Sequence, residues 1–126
     1  MDWPRINANR NQISQVIHNL VHNAIDAMQL SNQGRVLRLK TERRGDDAIV
    51  VEIQDTGSGI DPKQLENIFE AFVTTKKGGT GLGLSISRTI IERHGGQLSA
   101  SSDGKNGSLF QFVLPIRSIR DNFPTQ

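Results

Sequence analysis

The stretch EIQDTGSGI, residues 52–60, places a carboxylate and two glycines directly after an apolar segment. Within that segment Ile49, Val51 and Ile53 lie two residues apart, which is the spacing of a strand with one buried face. Asp55 continues the same period of two, so its side chain points to the same side as the three apolar residues. The sequence therefore predicts a strand over residues 48–55 that ends on a carboxylate facing the interior.

The letters DTGS, residues 55–58, also surround the catalytic carboxylate of aspartic proteases. A protease of that type needs a second aspartate, from an internal repeat or from a homodimer, because the two must share one proton. No internal repeat is visible in the chain, and the homodimer stays open on length alone. A protease would, however, leave three other polar or glycine-rich segments without a role.

The composition is that of one soluble domain. The 126 residues suit a single core, and 15 basic against 13 acidic residues leave a net charge of only +2. Because the basic residues are scattered, nucleic acid is not an expected partner. The lack of cysteine excludes disulfides, and no apolar run is as long as a membrane span. We expect a cytoplasmic, monomeric domain over residues 1–116 with a flexible tail over 117–126, and membrane attachment of a longer parent chain stays open.

A first long helix is predicted over residues 11–29. Its apolar residues recur at steps of three and four, as one face of a helix requires. At about 100° per residue, Asn19, Asn23 and Asp26 share a separate polar stripe with His22 beside it. Ordinary packing does not explain this stripe. The apolar positions are Ile13, Val16, Ile17, Leu20, Val21, Ala24, Ile25 and Met28.

Two pairs of strands are also predicted. Residues 35–44 and 48–55 are joined by RGDD, whose glycine and aspartates favour an antiparallel hairpin. Residues 97–102 and 108–116 flank the turn DGKNG. In the last strand a core face is formed by the alternating residues Phe110, Phe112, Leu114 and Ile116.

A second helix is predicted over residues 61–72, between the two pairs of strands. Asp61 is a suitable N-cap, and Pro62 suits the first helical position. Gln64 is placed to close a capping box with Asp61.

A glycine-rich loop over residues 73–80 and a third helix follow. This helix begins near Gly81 or Leu82 and ends at the C-cap Gly95. The order of elements predicts an α+β fold, a two-layer α/β sandwich whose mixed sheet is covered on one face by about three helices. Residues 1–8 could add a short edge strand.

Four segments carry polar and glycine residues that packing does not explain: NLVHNAIDAM (19–28), DTGSGI (55–60), IFEAFVTTK (68–76) and GTGLGLSIS (79–87). Together they resemble the N box, first glycine box, F box and second glycine box of the ATP-binding catalytic domain of two-component sensor histidine kinases, with the Bergerat or GHKL fold. The resemblance runs over about residues 12–116. It is strongest, in FVTTKKGGTGLGLSISRTIIERHGG, to the subgroup of nitrogen- and oxygen-sensing kinases. It implies that ATP lies between helices and sheet under a flexible lid.

The resemblance gives each box a role. Asp55 would accept a hydrogen bond from the exocyclic amine of adenine. Asn23 would bind Mg2+, which prefers oxygen ligands and usually shares them between protein and phosphates. The second glycine box would cradle phosphates at a helix start, and Lys76 in the lid would meet the terminal phosphate. The implied ATP contacts are Asn19, Asn23, Asp55, Gly57, Gly59, Ile60, Phe72, Thr75, Lys76, Gly79, Thr80, Gly81, Leu82 and Gly83; Asn19 and Lys76 are the implied catalytic residues, and Asn23 is the implied metal ligand.

Position 19 favours a kinase over a hydrolase. ATP hydrolases that share this fold carry a glutamate four residues before the magnesium asparagine, as a base for water. This chain has Asn19 there, and an amide cannot take a proton at neutral pH. None of His18, His22 and His94 lies in a phosphoacceptor motif. We therefore expect a catalytic domain that phosphorylates a histidine of a separate dimerisation and phosphoacceptor domain, for relay to an aspartate of a response-regulator receiver domain.

Two other functions stay open. A serine kinase of the anti-sigma type shares the fold, although the lid sequence TTKKGGTGLGL and the following RHGG argue against it. A non-enzymatic module could instead use ATP to order its lid and bind a partner. The sequence leaves open the stimulus, the sensor domain, the cognate regulator and the roles of His22 and Asp26.

Overall fold

The computed structural model describes residues 8–29, 34–70 and 83–116. The first helix and all four strands lie within two residues of their predicted bounds. In chain order the elements are α1 (Arg10–Gln29), β1 (Leu37–Arg44), β2 (Ala48–Asp55), two 3-10 helices (Pro62–Gln64 and Asn67–Phe69), α2 (Gly83–Arg93), β3 (Gln97–Ser101) and β4 (Ser108–Pro115).

The strands form one sheet in the order β1-β2-β4-β3. β2 and β4 are central, and their register sets Ile53 opposite Phe110 and Asp55 opposite Ser108. Within the described residues every pairing is antiparallel, so the mixed sheet suggested by the order of elements is not found there. Residues 1–7, which hold most of the predicted edge strand, lie outside them.

Both α-helices pack on the sheet and share one core with it, as the two-layer α+β sandwich predicts. Val16 and Leu20 of α1, Ile91 of α2, and Ile53 and Phe112 of the central strands are fully buried in one cluster. Burying a large apolar side chain contributes about 1.5–3 kcal/mol. This shared core therefore fixes both helices relative to β2 and β4.

Contacts at the helix ends tie α1 to α2. Asn9 caps α1, because its side-chain oxygen accepts a hydrogen bond from the backbone N–H of Gln12 at 3.1 Å. The backbone N–H of Asn9 donates to Nε2 of His94 at 3.0 Å, and Nδ1 of the same ring lies 2.8 Å from the carbonyl oxygen of Ile90. These contacts require the tautomer with its proton on Nδ1. His94 thus has a structural role.

α2 ends in the motif predicted from its glycines. Gly95 has a φ of 81°, and its N–H donates to the carbonyl oxygen of Glu92 at 3.0 Å. The N–H of Gly96 donates to the carbonyl oxygen of Ile91 at 2.9 Å. This pair of bonds is a Schellman motif, which satisfies the last carbonyls and turns the chain into β3.

The α-helix predicted over residues 61–72 is wrong in type. Asp61 does cap a helix start, since its Oδ1 accepts from the N–H of Lys63 at 2.9 Å. The next bonds run from residue i+3 to residue i, as from the N–H of Gln64 to the carbonyl oxygen of Asp61 at 2.7 Å. The chain therefore forms two short 3-10 helices. The cap signals specify only a first turn, which either type of helix satisfies.

None of the described helices is both long and apolar enough to cross a membrane. The lid predicted over residues 73–80 and the tail predicted over residues 117–126 lie outside the described residues.

Candidate functional site

Asp55 lies buried at the end of β2, as the period of two predicts. It is 2% exposed. Its Oδ1 accepts a hydrogen bond from the N–H of Gly57 at 2.8 Å, and its Oδ2 accepts one from Oγ of Ser108 at 2.7 Å. A carboxylate has about four lone-pair positions, so these two bonds orient it and leave further acceptor capacity. The side chain can therefore receive a hydrogen-bond donor such as an amine.

Ser108 is a site residue that the sequence did not reveal. It is buried and lies directly opposite Asp55 in the register of β2 and β4. The two residues are 53 positions apart, and a serine at a strand start carries no signal of its own. The register of the two central strands would have identified it, because directly opposed residues project from the same face of a sheet.

Gly57 allows the turn after β2 to approach α1 closely. A Cβ atom at this position would lie 2.7 Å from the carbonyl carbon and 2.8 Å from the carbonyl oxygen of Ala27. Side-chain atoms do not come this close to backbone atoms in native packing. Close approach to the helix is thus the physical reason for glycine at position 57.

Gly59 and Ser102 join the turn after β2 to the turn between β3 and β4. Gly59 has a φ of 82°, in the left-handed region that favours glycine. Oγ of Ser102 accepts from the N–H of Ile60 at 2.9 Å and from the N–H of Gly104 at 3.1 Å, and it donates to the carbonyl oxygen of Gly107 at 2.7 Å. The predicted contacts Gly59 and Ile60 therefore lie in a segment that Ser102 connects to the turn between β3 and β4.

Asp103 organises the neighbouring turn. Its carboxylate accepts hydrogen bonds from the backbone N–H groups of Lys105 and Asn106, both at 2.8 Å, and from Nδ2 of Asn106 at 2.7 Å. The backbone of Asn106, followed by that of Lys105 and the Asn106 side chain, holds the pKa of Asp103 below its ordinary value. The ionised carboxylate is thus part of the turn that faces Gly59.

Asn19 connects α1 to α2. Its Nδ2 donates to the carbonyl oxygen of Gly83 at 3.3 Å and to Oγ of Ser87 at 3.2 Å. A carbonyl oxygen can only accept, so the amide nitrogen faces α2 and Oδ1 is the atom left to meet a ligand. The structure thus brings the predicted residues Asn19 and Gly83 together and adds Ser87, which the sequence did not single out.

The other polar residues of α1 continue the same stripe. Asn23, one turn after Asn19, is half-buried. Nδ1 of His22 lies 3.4 Å from Oδ2 of Asp26, and this contact contributes little because the His22 side chain is 63% exposed. Among the residues that the structure describes, no group of three or more His, Cys, Asp or Glu side chains could hold a metal ion.

Phe69, at the start of the F box, is anchored between sheet and helix. Its ring meets Phe110 edge to face with centroids 6.3 Å apart, and the guanidinium of Arg88 lies 5.3 Å from its centroid. Arg88 belongs to α2, so the segment that leads to the predicted lid begins at a fixed point. The remaining predicted site residues lie outside the described residues: Phe72, Thr75, Lys76, Gly79, Thr80, Gly81 and Leu82.

Comparison with protein families agrees with this fold. The model of the family described as histidine kinase-, DNA gyrase B-, and HSP90-like ATPases matches residues 8–118. Because the match spans nearly the whole sequence, the chain belongs to this family of ATPases.

Known relatives narrow the class within the family. The sensor protein FixL of Bradyrhizobium diazoefficiens is 49% identical over 108 residues, which cover 86% of this chain and 21% of FixL. The solved catalytic domain of the histidine kinase ThkA has a TM-score of 0.75 at 38% identity, covering 88% of this chain and 70% of that one. Full-length ShkA, solved in complex with AMPPNP, has a TM-score of 0.81 at 28% identity, covering 92% of this chain and 24% of that one.

The chain is therefore a catalytic domain of the sensor histidine kinase class, which confirms the class predicted from the four boxes. It spans about a fifth of the length of the curated relatives it matches.

Proposed function

We propose that this domain binds ATP with Mg2+ and transfers the γ-phosphoryl group to a histidine of a separate dimerisation and phosphoacceptor domain. The observation that carries the proposal is the buried carboxylate of Asp55, which Gly57 and Ser108 orient at the end of β2. The likeness to sensor kinases, one of them solved with AMPPNP, supports it. An aspartate of a response-regulator receiver domain would then receive the group.

Asp55 is the proposed adenine-recognising residue. The exocyclic amine of adenine donates hydrogen bonds, and this carboxylate is a fixed acceptor in a buried environment, where such bonds are strong. Guanine carries a carbonyl oxygen at the equivalent ring position. This oxygen and the carboxylate can both only accept hydrogen bonds, so they would repel each other. The site should therefore prefer adenine nucleotides.

Asn19 and Asn23 are the proposed contacts on the metal side of the triphosphate. Both carry amide oxygens, the ligand type that Mg2+ prefers, and this ion usually takes one or two protein ligands besides phosphates and waters. Asn23 would bind the ion directly, while Oδ1 of Asn19, one turn earlier, would reach its waters. When bound, the ion would neutralise charge on the phosphates. Lys76 is proposed to do the same for the terminal phosphate.

The proposed transfer depends on alignment and charge neutralisation. A neutral imidazole nitrogen of the acceptor attacks the γ-phosphorus, the bond from this phosphorus to the β,γ-bridging oxygen breaks, and ADP leaves with that oxygen. Asn19 does not provide a base that could activate water. Transfer to the acceptor histidine is therefore favoured over hydrolysis.

We also propose the narrower assignments that the sequence favours. The stretch over residues 72–96 supports the subgroup of nitrogen- and oxygen-sensing kinases. The catalytic domain would occupy residues 1–116, followed by the tail over 117–126, and would act in the cytoplasm.

The substitution Asp55→Asn tests adenine recognition. It keeps the size of the side chain but replaces one acceptor oxygen with a donor, so we expect ATP to bind roughly 10- to 100-fold more weakly in isothermal titration calorimetry. Asp46→Asn is the matched control, because that carboxylate is fully exposed in the turn at the far end of β2. Near-normal affinity of Asp55→Asn would remove the adenine role.

The substitution Asn23→Ala tests the metal role. Comparing ATP titrations with and without Mg2+ should show a strong magnesium dependence in the native protein and little in the variant. An unchanged dependence would place the metal ligand elsewhere.

Phosphoryl transfer is tested with labelled ATP and a matched acceptor domain. Acid-labile label on that domain would identify phosphohistidine and support the kinase. Acid-stable label would identify phosphoserine, and no label with intact ATP binding would favour a non-enzymatic module.

A further inference from the structure

We infer that Ser87 is a positioning residue for binding of the ATP phosphates that acts through Asn19, an inference that rests on the proposed function of the site. Ser87 is fully buried in the second turn of α2. Its Oγ accepts the hydrogen bond from Nδ2 of Asn19 at 3.2 Å. A buried hydroxyl is unfavourable unless it is hydrogen-bonded. The bond to Asn19 therefore gives a reason for serine at a position that could otherwise hold an apolar residue.

The two bonds of Asn19 fix the start of α2 relative to α1. One reaches the carbonyl oxygen of Gly83, the first residue of α2, and the other reaches Ser87 one turn later. Because these acceptors lie one above the other on the same side of α2, the bonds restrain both its position and its rotation. Asn23 follows Asn19 by one turn on α1. The separation between the proposed metal ligand and the first N–H groups of α2 thus depends on this clamp.

The clamp also requires a donor at position 19. Of the two groups that face its side chain, the carbonyl oxygen of Gly83 can only accept a hydrogen bond, whereas the hydroxyl of Ser87 can accept or donate one. A carboxylate at this position would set its oxygens against the carbonyl oxygen of Gly83. A side chain that could take a proton from water is therefore disfavoured by the packing of α2.

The substitution Ser87→Ala removes the acceptor with little change in volume. We expect ATP to bind about fivefold more weakly, the effect of losing one hydrogen bond, while adenosine affinity stays unchanged because the base is bound at Asp55. Thr89→Ala is the matched control, since it removes an exposed hydroxyl two residues later on the same helix. Urea unfolding of each variant reports whether it is folded.

A double-mutant cycle with Asn19→Ala makes the test decisive. If Ser87 acts through Asn19, the two substitutions together weaken ATP binding no more than Asn19→Ala alone. The inference would be overturned if the losses of ATP affinity from the two substitutions multiplied in the double variant. It would also be overturned if Ser87→Ala left ATP affinity unchanged, or if it weakened adenosine and ATP binding equally. Failure of the proposed function can be distinguished from failure of this inference. In that case Asp55→Asn would bind ATP normally, whatever residue stands at position 87.

Discussion

Replacing Gly57 with alanine would place a methyl group against the backbone of α1. Its Cβ would lie 2.7 Å from the carbonyl carbon and 2.9 Å from the Cβ of Ala27, whereas ordinary contact begins near 3.4 Å. The helix is packed into the core at this point, since Ala24 and Met28 on either side of Ala27 are buried. The turn after β2 must therefore move outward by about 0.7 Å.

This movement has two energetic consequences. Overpacking of this kind typically costs about 1–3 kcal/mol. The N–H of Gly57 lies 2.8 Å from Oδ1 of Asp55. A displacement of about 0.7 Å along this bond would stretch it beyond the ordinary limit of about 3.2 Å, with a loss of about 0.5–1.5 kcal/mol. We expect a total loss of about 1.5–4.5 kcal/mol from the free energy of unfolding, and weaker ATP binding because Asp55 loses one of its two orienting bonds.

Gly34→Ala is the matched control for this prediction. Among the residues that the structure describes, no heavy atom would lie within 4 Å of a Cβ at position 34, and this glycine has no left-handed backbone. Its replacement should change the free energy of unfolding by less than about 1 kcal/mol, toward greater stability. Urea denaturation of both variants measures the difference. If Gly57→Ala is as stable as Gly34→Ala but fails to bind ATP, glycine is needed beside the adenine ring and the steric reasoning is refuted.

Three further predictions concern residues around the site. Ser108→Ala removes one orienting bond of Asp55 and should weaken ATP binding about three- to tenfold in calorimetry; equal affinity would mean that the remaining bond suffices. His94→Ala removes the acceptor for the N–H of Asn9 and should lower the free energy of unfolding by about 0.5–1.5 kcal/mol in urea, and no change would show that water replaces the ring. Asp103→Asn should lower the melting temperature at neutral pH. The difference in melting temperature from the native protein should shrink as the pH falls through the lowered pKa of this carboxyl group, because its stabilisation requires the ionised form. A difference independent of pH would contradict this prediction.

The sequence predicted those features that depend on local pattern. The period of two placed Asp55 inward, and the burial of Asp55 in the structure agrees. Steps of three and four along α1 placed Leu20 in the core and Asn19 on a separate stripe. Gly95 ended α2 because a left-handed residue is needed there. In each case the prediction rests on residues that are neighbours in the sequence.

Features that depend on distant pairing could not be predicted in this way. Ser108 and Ser87 acquire their roles only from the register of β2 with β4 and from the contact between α1 and α2. The helix predicted after Asp61 failed for a related reason. Asp61 and Pro62 lie at the helix start as predicted, but these local signals do not distinguish an α-helix from two 3-10 helices.

α1 serves as the common reference for both halves of the proposed site. One turn before Asn23, Asn19 fixes the start of α2, where phosphates are expected. One turn after Asn23, Ala27 supports the turn that orients Asp55, where the base is expected. A single helix is rigid over these two turns, so the proposed metal ligand is held at a set distance from both ends of the nucleotide. Loosening the contact at Gly57 should therefore impair recognition of the base, whereas loosening the contact at Ser87 should impair binding of the phosphates alone.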